Sequence, residues 1–553
     1  MKKIALLILI FFNILEATNY YIDALEGNDF NSGTSPKKAW KSINKLNGFR
    51  FMPGDTIAFK RGEVFKGYFI VSSSGNSQSP ITFKAYGKGE KPIITSMLEP
   101  KEFKIEDNWK RTIDNNIWHI NLGFNPQRVI LNEKEVLRAG KSFKEIDGNK
   151  TKWFWEKGKF YLYSPTNPAS FYNSIKINIR YETILVKNKH DLVFKDLDIQ
   201  GGNGYAMAIR GSKNIKISNC NIGAYSRMGL QIMDNFENGG YTPSKNILVE
   251  NSVFDSKFHF KYKEAPSDRG CIDGLLINNG AHNCIIKNNT FKDWGHTAIN
   301  LVALNKLNPG IYNNKFYNNI ITAKNISYGR GIGTEGIEGK THHNEFFYNI
   351  IKDTTVRSQF NGDHNSFHHN IIDTVKNSPI KPYGTAQGIE MQAYGVCVCH
   401  DNEIDNNIIV NCDEAGVRLR EDKNEKYNNK VRNNIIYNCG LNSKDGYNGV
   451  NIVIDKGKSI KKNIFLNNCI FNKDSSKKEI IYYRGQFLNV PKFNKQKKDL
   501  IKNNIQKDPK FVNFKKRDFH LLPSSPCIDA GVPIDKKRSF KGKAPDIGLY
   551  EER

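Results

Sequence analysis

The chain has 553 residues, a formal net charge of +26 and nine cysteines. Apart from one short run at the start, no stretch approaches the ~20 apolar residues of a spanning helix, which excludes a polytopic membrane protein. No CxxC, no paired Cys/His spacing of a zinc module and no 3.6-residue apolar period is present, which excludes common zinc modules and helical repeats.

Lys2 and Lys3 precede the apolar run Ile4 to Phe12, and Ala17 supplies a small residue before a cut. This pattern reads as a secretory signal over residues 1–17, with a mature chain from Thr18. The expectation is a secreted or periplasmic bacterial protein with no membrane span after cleavage. The mature chain keeps a charge of +25. That charge suits an acidic partner, and the reading adopted is an acidic polysaccharide bound by a monomer, with no nucleic acid.

Residues 18–99 read as a cap followed by first coils. Ser35-Pro36 sets up a helix start, and Trp40, Ile43 and Leu46 give it one apolar face. Pro53-Gly54-Asp55 turns into the strand TIAFK (56–60), and PITFKAYG (80–87) and PIITS (92–96) follow. Residues 100–180 read as a small β-rich insertion, with hairpins at 109–122, 128–139 and 153–165.

Residues 181–475 carry a repeat. Asn, one or two small or polar residues, then an aliphatic or Phe recurs as DLDI (196–199), NCNI (219–222), NSVF (251–254) and NNTF (288–291). It continues as NNII (318–321), YNII (348–351), HNII (369–372), NNII (406–409), NNII (433–436) and NCIF (468–471). The last residues of these phrases are 23, 32, 37, 30, 30, 21, 37, 27 and 35 apart. The shortest intervals set a coil of just over twenty residues, and the longer ones carry loops. A second strand, Gly-apolar-x-apolar, follows most phrases: GLQIM (229–233), GLLIN (274–278), GIEMQ (388–392), GVRLR (416–420) and GVNIV (449–453). Short strands at this period predict an all-β solenoid, in which stacked coils bury what one coil cannot. The opening asparagines suit tight corners, and their amides can bond the same residue in the next coil. Cys412 and Cys439 share one register position; a disulfide is possible there, and a pair of buried thiols is the favoured reading. Residues 476–553 form a Lys-rich segment and a terminal cap.

The opening YYIDALEGNDFNSGTSPKKAWKSI with PGDTIAFKRG, the segment GIEGKTHHNEFFYNII (336–351) and the ending DPKF…DFHLLPSSPCIDAG…PDIGLYE resemble bacterial right-handed parallel β-helix proteins of the pectate-lyase-like superfamily. The resemblance implies that fold, with an N-terminal capping helix and a small β-rich insertion. It also implies export and action on polysaccharides. Lyases, hydrolases, epimerases and non-catalytic proteins all occur among such folds.

Aligning the second strands puts Gln231, Leu276, Asn300, Glu338, Glu390, Arg418 and Asn451 in one column pointing out of one sheet. Lys340, His342, His343, Arg357, Asp363, His364, Arg420 and Glu421 cluster at its centre, with Asp273 and His296 upstream. Glu335 reads as a turn residue, and His368 and His369 as structural corners. A uronate lyase or epimerase must neutralise the sugar carboxylate and then remove the C5 proton. The expected catalytic residues are Lys340, His364, Arg357 and Glu390. Arg418, Arg420, His343, Asn300 and Gln231 would bind substrate, and Glu338, Asp363 and Glu390 would hold Ca²⁺. The run of Glu335, Glu338 and Lys340, followed by Arg357, is loosely similar to Ca²⁺-dependent alginate and chondroitin lyases of this fold; Arg357-Ser-Gln stands where those have Arg-His-Gly. The alternatives are an inverting glycoside hydrolase, with Glu338 and Glu390 about two coils or roughly 10 Å apart, and a non-catalytic glycan-binding or assembly protein.

Overall fold

The computed structural model describes residues 17–552, apart from 113–115, 127, 134, 179–180, 203, 224–226, 257–272, 293, 323–328, 378–384 and 535–539. The expected signal segment lies almost wholly outside the described residues.

Among the described residues the coils contribute to three long sheets of 21, 13 and 12 strands, paired in parallel from coil to coil; within these sheets the only antiparallel pair among the described residues lies at the end of the 13-stranded one. Between residues 280 and 466 the 21-stranded sheet takes two short strands from each coil, such as Gly310–Tyr312 and Lys315–Tyr317. This is a right-handed parallel β-helix. The 12-stranded sheet carries the repeat. Phe65, Ile94, Ile199, Ile222, Phe254, Phe291, Ile321, Ile351, Ile372, Ile409, Ile436 and Ile470 are in direct register. All are buried in one core that runs through the solenoid. In the last phrase Ile470, rather than Phe471, keeps the register.

The Asn-Asn corners divide their work. The first residue takes the left-handed conformation, as at Asn288, Asn318, Asn406 and Asn433. The second is buried and forms a ladder through Asn289, Asn319, Asn349, Asn370, Asn407, Asn434, Asn468 and Asn504. At each rung the backbone N–H and side-chain Nδ2 both donate to the next Oδ1, at 2.9 and 3.1 Å for Asn370 to Asn407. A second ladder runs through Asn314, Asn344, Asn365, Asn402, Asn429 and Asn463. The corners therefore satisfy the backbone groups that a turn leaves without strand partners.

At the N-terminus the expected helix is broken into two 3₁₀ turns, Pro36–Lys38 and Ile43–Leu46. Ser35 makes no capping bond. The break lets Trp40 pair its backbone with the first strand: Trp40 N–H donates to Tyr21, and Asp23 N–H donates to Trp40. Trp40, Ile43 and Leu46 are all buried in the core. Residues 97–178 contribute an eight-stranded sheet with its own core around Trp109, Trp153 and Phe160. Its three hairpins pair antiparallel at Lys110/His119, Ile130/Val136 and Trp155/Phe160. The C-terminal segment lays Phe511, Phe519, Leu521 and Ile547 over Ile408, Ile435 and Tyr437 of the 12-stranded sheet. The eight described cysteines are free and buried, Cys412 and Cys439 included. No helix among the described residues is long and apolar enough to cross a membrane.

Candidate functional site

The outer face of the 13-stranded sheet has the register Gln231, Leu276, Asn300, Gly333, Gln359, Glu390, Arg418, Val453. Two expected members are displaced. The strand Arg330–Gly336 puts Gly333, not Glu338, in the column. Strand Ile452–Ile454 puts Val453 there, not Asn451. Gly331-Ile332-Gly333-Thr334 fits the second-strand phrase as well as Gly336-Ile337-Glu338-Gly339 does, and the sequence alone does not choose between them. The glycine leaves room for Asn300: a Cβ at 333 would lie 2.9 Å from Asn300 Oδ1, so that side chain would have to shift.

This face gathers carboxylates and guanidinium groups. Glu390 is fully buried, with Arg357 Nε at its Oε2 and Arg420 Nη1 3.7 Å from its Oε1. One coil on, Arg418 is held by Asp445 at 3.0 Å and Asp455 at 3.1 Å and packs over the Tyr447 ring. One coil before Glu390 lies Gln359, whose Nε2 donates to Glu335 Oε1 at 3.4 Å. Arg330 Nη1 approaches the same oxygen at 3.4 Å, and Tyr394 stands beside Glu335. Burial, followed by Glu335, raises the Tyr394 pKa. Upstream, Asp273 Oδ1 and His296 Nδ1 are 2.8 Å apart, and Asn300 Nδ2 donates to Asp273 Oδ2 at 3.1 Å. Asn300 Oδ1 and Gln359 Oε1 are buried without a hydrogen-bond partner, whereas the buried Glu390 oxygens are met by the Arg357 and Arg420 ion pairs. Two unmet acceptors on one outer face call for a partner that a bound ligand or water can supply.

The other expected residues lie elsewhere. Glu338 sits in the turn that leads from this sheet to the 21-stranded sheet, and Lys340 Nζ donates to the Asn308 carbonyl. His343 and His364 occupy left-handed corners and stack on each other at 5.1 Å. Asp363 belongs to the strand Gly362–Asp363 of the 21-stranded sheet. The catalytic set Lys340, His364, Arg357 and Glu390 is therefore not assembled: the first two side chains stand around one corner and the last two on the face. His343 likewise is not among the substrate-facing residues. Gln231 is engaged structurally, donating to Tyr205 Oη at 2.9 Å. The expected Ca²⁺ trio is also split. Glu338 and Asp363 meet, but their third neighbour is His400, not Glu390. An imidazole in place of a third carboxylate does not make the oxygen cage that Ca²⁺ takes. His369 takes a left-handed corner as expected, whereas His368 ends a strand and contacts Glu345 at 2.9 Å.

Sequence reasoning missed Glu335 as a site residue and did not single out Gln359 or Tyr394. The signal for Glu335 was the competing phrase at 331–334, which turns its loop into a strand. Tyr394 carried no signal, because it reaches Glu335 from a turn two coils away.

A family model agrees with the architecture. Residues 140–316 match the family model described as a right handed beta helix region. A stretch of 85 residues is 38% identical to a lacto-N-biosidase of Bifidobacterium longum subsp. longum, covering 14% of this chain and 5% of that protein. A stretch of 65 residues is 35% identical to alpha-1,3-galactosidase A of Akkermansia muciniphila, covering 12% of this chain and 11% of that protein. The chain thus matches only a small part of the length of these curated relatives. Among solved structures, the complex of XylC with xylose is 16% identical, covers 85% of this chain and 86% of its own, and has a TM-score of 0.45. A PL6 family polysaccharide lyase from Pseudopedobacter saltans is 13% identical, with 84% and 90% covered and a TM-score of 0.41. By its coil register and its family-model match, the chain is a right-handed parallel β-helix protein.

Proposed function

We propose that the protein is a carbohydrate-active enzyme that binds a glycan along the outer face of the 13-stranded sheet and cleaves it between Glu335 and Glu390. One observation carries this reading: Glu335 and Glu390 lie on one face two coils apart, with Gln359 between them bonded to Glu335. Two coils are roughly 10 Å, and Glu335 stands two residues along its strand from the column of Glu390, so the two Cα atoms are roughly 12 Å apart. Two extended glutamate side chains are long enough to bring their carboxyl groups to the ~6.5–9.5 Å of an inverting pair from that spacing. Glu390, faced by guanidinium groups, takes the part of the base that activates water. Glu335, nearer the surface beside Tyr394, takes the part of the acid that protonates the leaving oxygen. The local likeness to two glycosidases supports hydrolysis as the reaction class.

A second reading, β-elimination on a uronate, is favoured by the four arginines on this face and by the +26 charge. It ranks below hydrolysis for two reasons. Arg357 and Arg418 already have carboxylate partners. The expected bases, Lys340 and His364, are off the face.

The test is incubation with neutral galactose-terminated oligosaccharides and with alginate, pectate, chondroitin and heparin. New reducing ends without an unsaturated chromophore support hydrolysis. A near-ultraviolet chromophore supports elimination. Neither product from any substrate would overturn both readings.

A further inference from the structure

Away from the catalytic face, Tyr312, His342, Asp363, His400 and Tyr427 occupy one register column of the 21-stranded sheet. Glu338 folds onto this column from the preceding turn. A ligand atom from each of Glu338, Asp363 and His400 lies within 4.8 Å of the others. His400 Nε2 and Glu338 Oε2 are 2.8 Å apart.

We propose that Glu338, Asp363 and His400 form a binding site for one divalent transition-metal ion of the zinc class. The donor chemistry points there: one imidazole and two carboxylates suit Zn²⁺ or its neighbours, whereas Ca²⁺ takes oxygen ligands only. The support around the donors is that of a metal histidine. His400 Nδ1 lies 2.8 Å from Asp401 Oδ2, which fixes the proton on Nδ1 and directs Nε2 at the cluster. The His400 ring is stacked on Tyr427 at 4.6 Å and 3°. The Gly339 N–H holds Asp363 Oδ1 at 3.0 Å. His400 and Asp363 are both buried, while Glu338 is 68% exposed and free to swing.

Ligand atoms about 2.0–2.2 Å from a tetrahedral ion sit roughly 3.3 Å from one another, so the cluster needs shifts of about 1.5 Å or less to close. The mobile arm, Glu338, supplies most of that shift. The proton shared between His400 Nε2 and Glu338 Oε2 is released to solvent as the ion binds, two metal bonds replace that hydrogen bond, and the fourth position is left to water. Because Glu338 follows Glu335 by three residues, the ion would tie the turn after the catalytic strand to the coil two further on. The site stands on its own ligands and does not depend on the glycan reading.

The experiment uses the untagged full-length protein after dialysis against a chelator, titrated calorimetrically with ZnCl₂ and with CaCl₂; retained metal is measured by mass spectrometry after desalting. The expected result is one Zn²⁺ per chain, retained against excess Ca²⁺. Glu338→Ala and His400→Gln each lose that binding. Asp401→Asn, which leaves all three ligands in place, weakens it by roughly 10–100-fold. His520→Gln, at an exposed histidine on the C-terminal segment, leaves it unchanged. If His400→Gln fails to fold, Glu338→Ala at an exposed turn decides. No stoichiometric Zn²⁺, or wild-type binding in Glu338→Ala, overturns the proposal; glycan cleavage is scored separately and bears on neither outcome.

Discussion

Arg357 and Glu390 form an ion pair in which the arginine side chain is 9% exposed and the glutamate not at all. A pair this buried is costly to break from one side, because Glu390 would keep only the longer contact to the more exposed Arg420. Arg357→Met should destabilise the protein by about 3–5 kcal/mol in chemical denaturation. Arg357→Met combined with Glu390→Met should recover most of that loss. A double-variant loss equal to the sum of the two single-variant losses would mean that the two charges are not coupled. The double variant should stay inactive although its stability recovers, which separates the proposed catalytic part of Glu390 from its structural one.

The asparagine ladder makes a second prediction. Asn407 accepts from the Asn370 backbone and side chain and itself donates to Asn434 and the Phe367 carbonyl. Asn407→Ala strands several buried groups and should cost about 1–3 kcal/mol for each one left unmet. Asn424→Ala, in an exposed loop where the amide meets only two carbonyls, should cost less. Comparable denaturation midpoints for the two variants would contradict the ladder's role.

Most of the fold is legible in the sequence because register is repetitive: the buried aliphatics and the Asn corners recur in each coil. The candidate site is legible only in part. Glu390, Arg418 and Asn300 fall in their expected column because the strands around them follow the phrase. Glu338 does not, since two overlapping phrases compete across residues 331–339 and only packing against Asn300 decides between them. Lys340, His343 and His364 are close to site residues in sequence, but a solenoid turns sharply at each corner, and three or four residues are enough to leave the face. The contact of His400 with Glu338 was invisible because the two residues are 62 apart in the chain.

Glu345 gives a pH prediction. Its hydrogen bond to His368, opposed by burial and aided by the charges of His368 and Lys315, lowers its pKa to about 2 from the ordinary 4.5. A carboxyl with a depressed folded pKa stabilises the protein above its unfolded pKa and loses that contribution as pH falls through the folded one. The stability difference between wild type and Glu345→Gln should therefore be constant near neutrality and shrink between about pH 5 and pH 2. Thermal melts across that range check it; a difference that grows with acidity would contradict the assignment.

The cysteines give a chemical prediction. Burial raises Cys220 to about 11, and Cys284 and Cys399 to about 12. Thiols so protonated and enclosed react slowly. Alkylation of the native protein at neutral pH, followed by peptide mass spectrometry, should leave these three unlabelled until denaturant is added. Rapid native labelling of any of them would mean that the coils open there.

Whether Glu335 and Glu390 act together on a glycan is decided by product analysis on the first oligosaccharide or polysaccharide found to be cleaved, with wild type, Glu335→Gln and Glu390→Gln compared at equal folded concentration. The expected result is new reducing ends without an unsaturated product, and a loss of kcat on the order of a thousandfold or more in each variant, near the general acid–base range. Full activity in either variant, with an intact fold by circular dichroism, would contradict it.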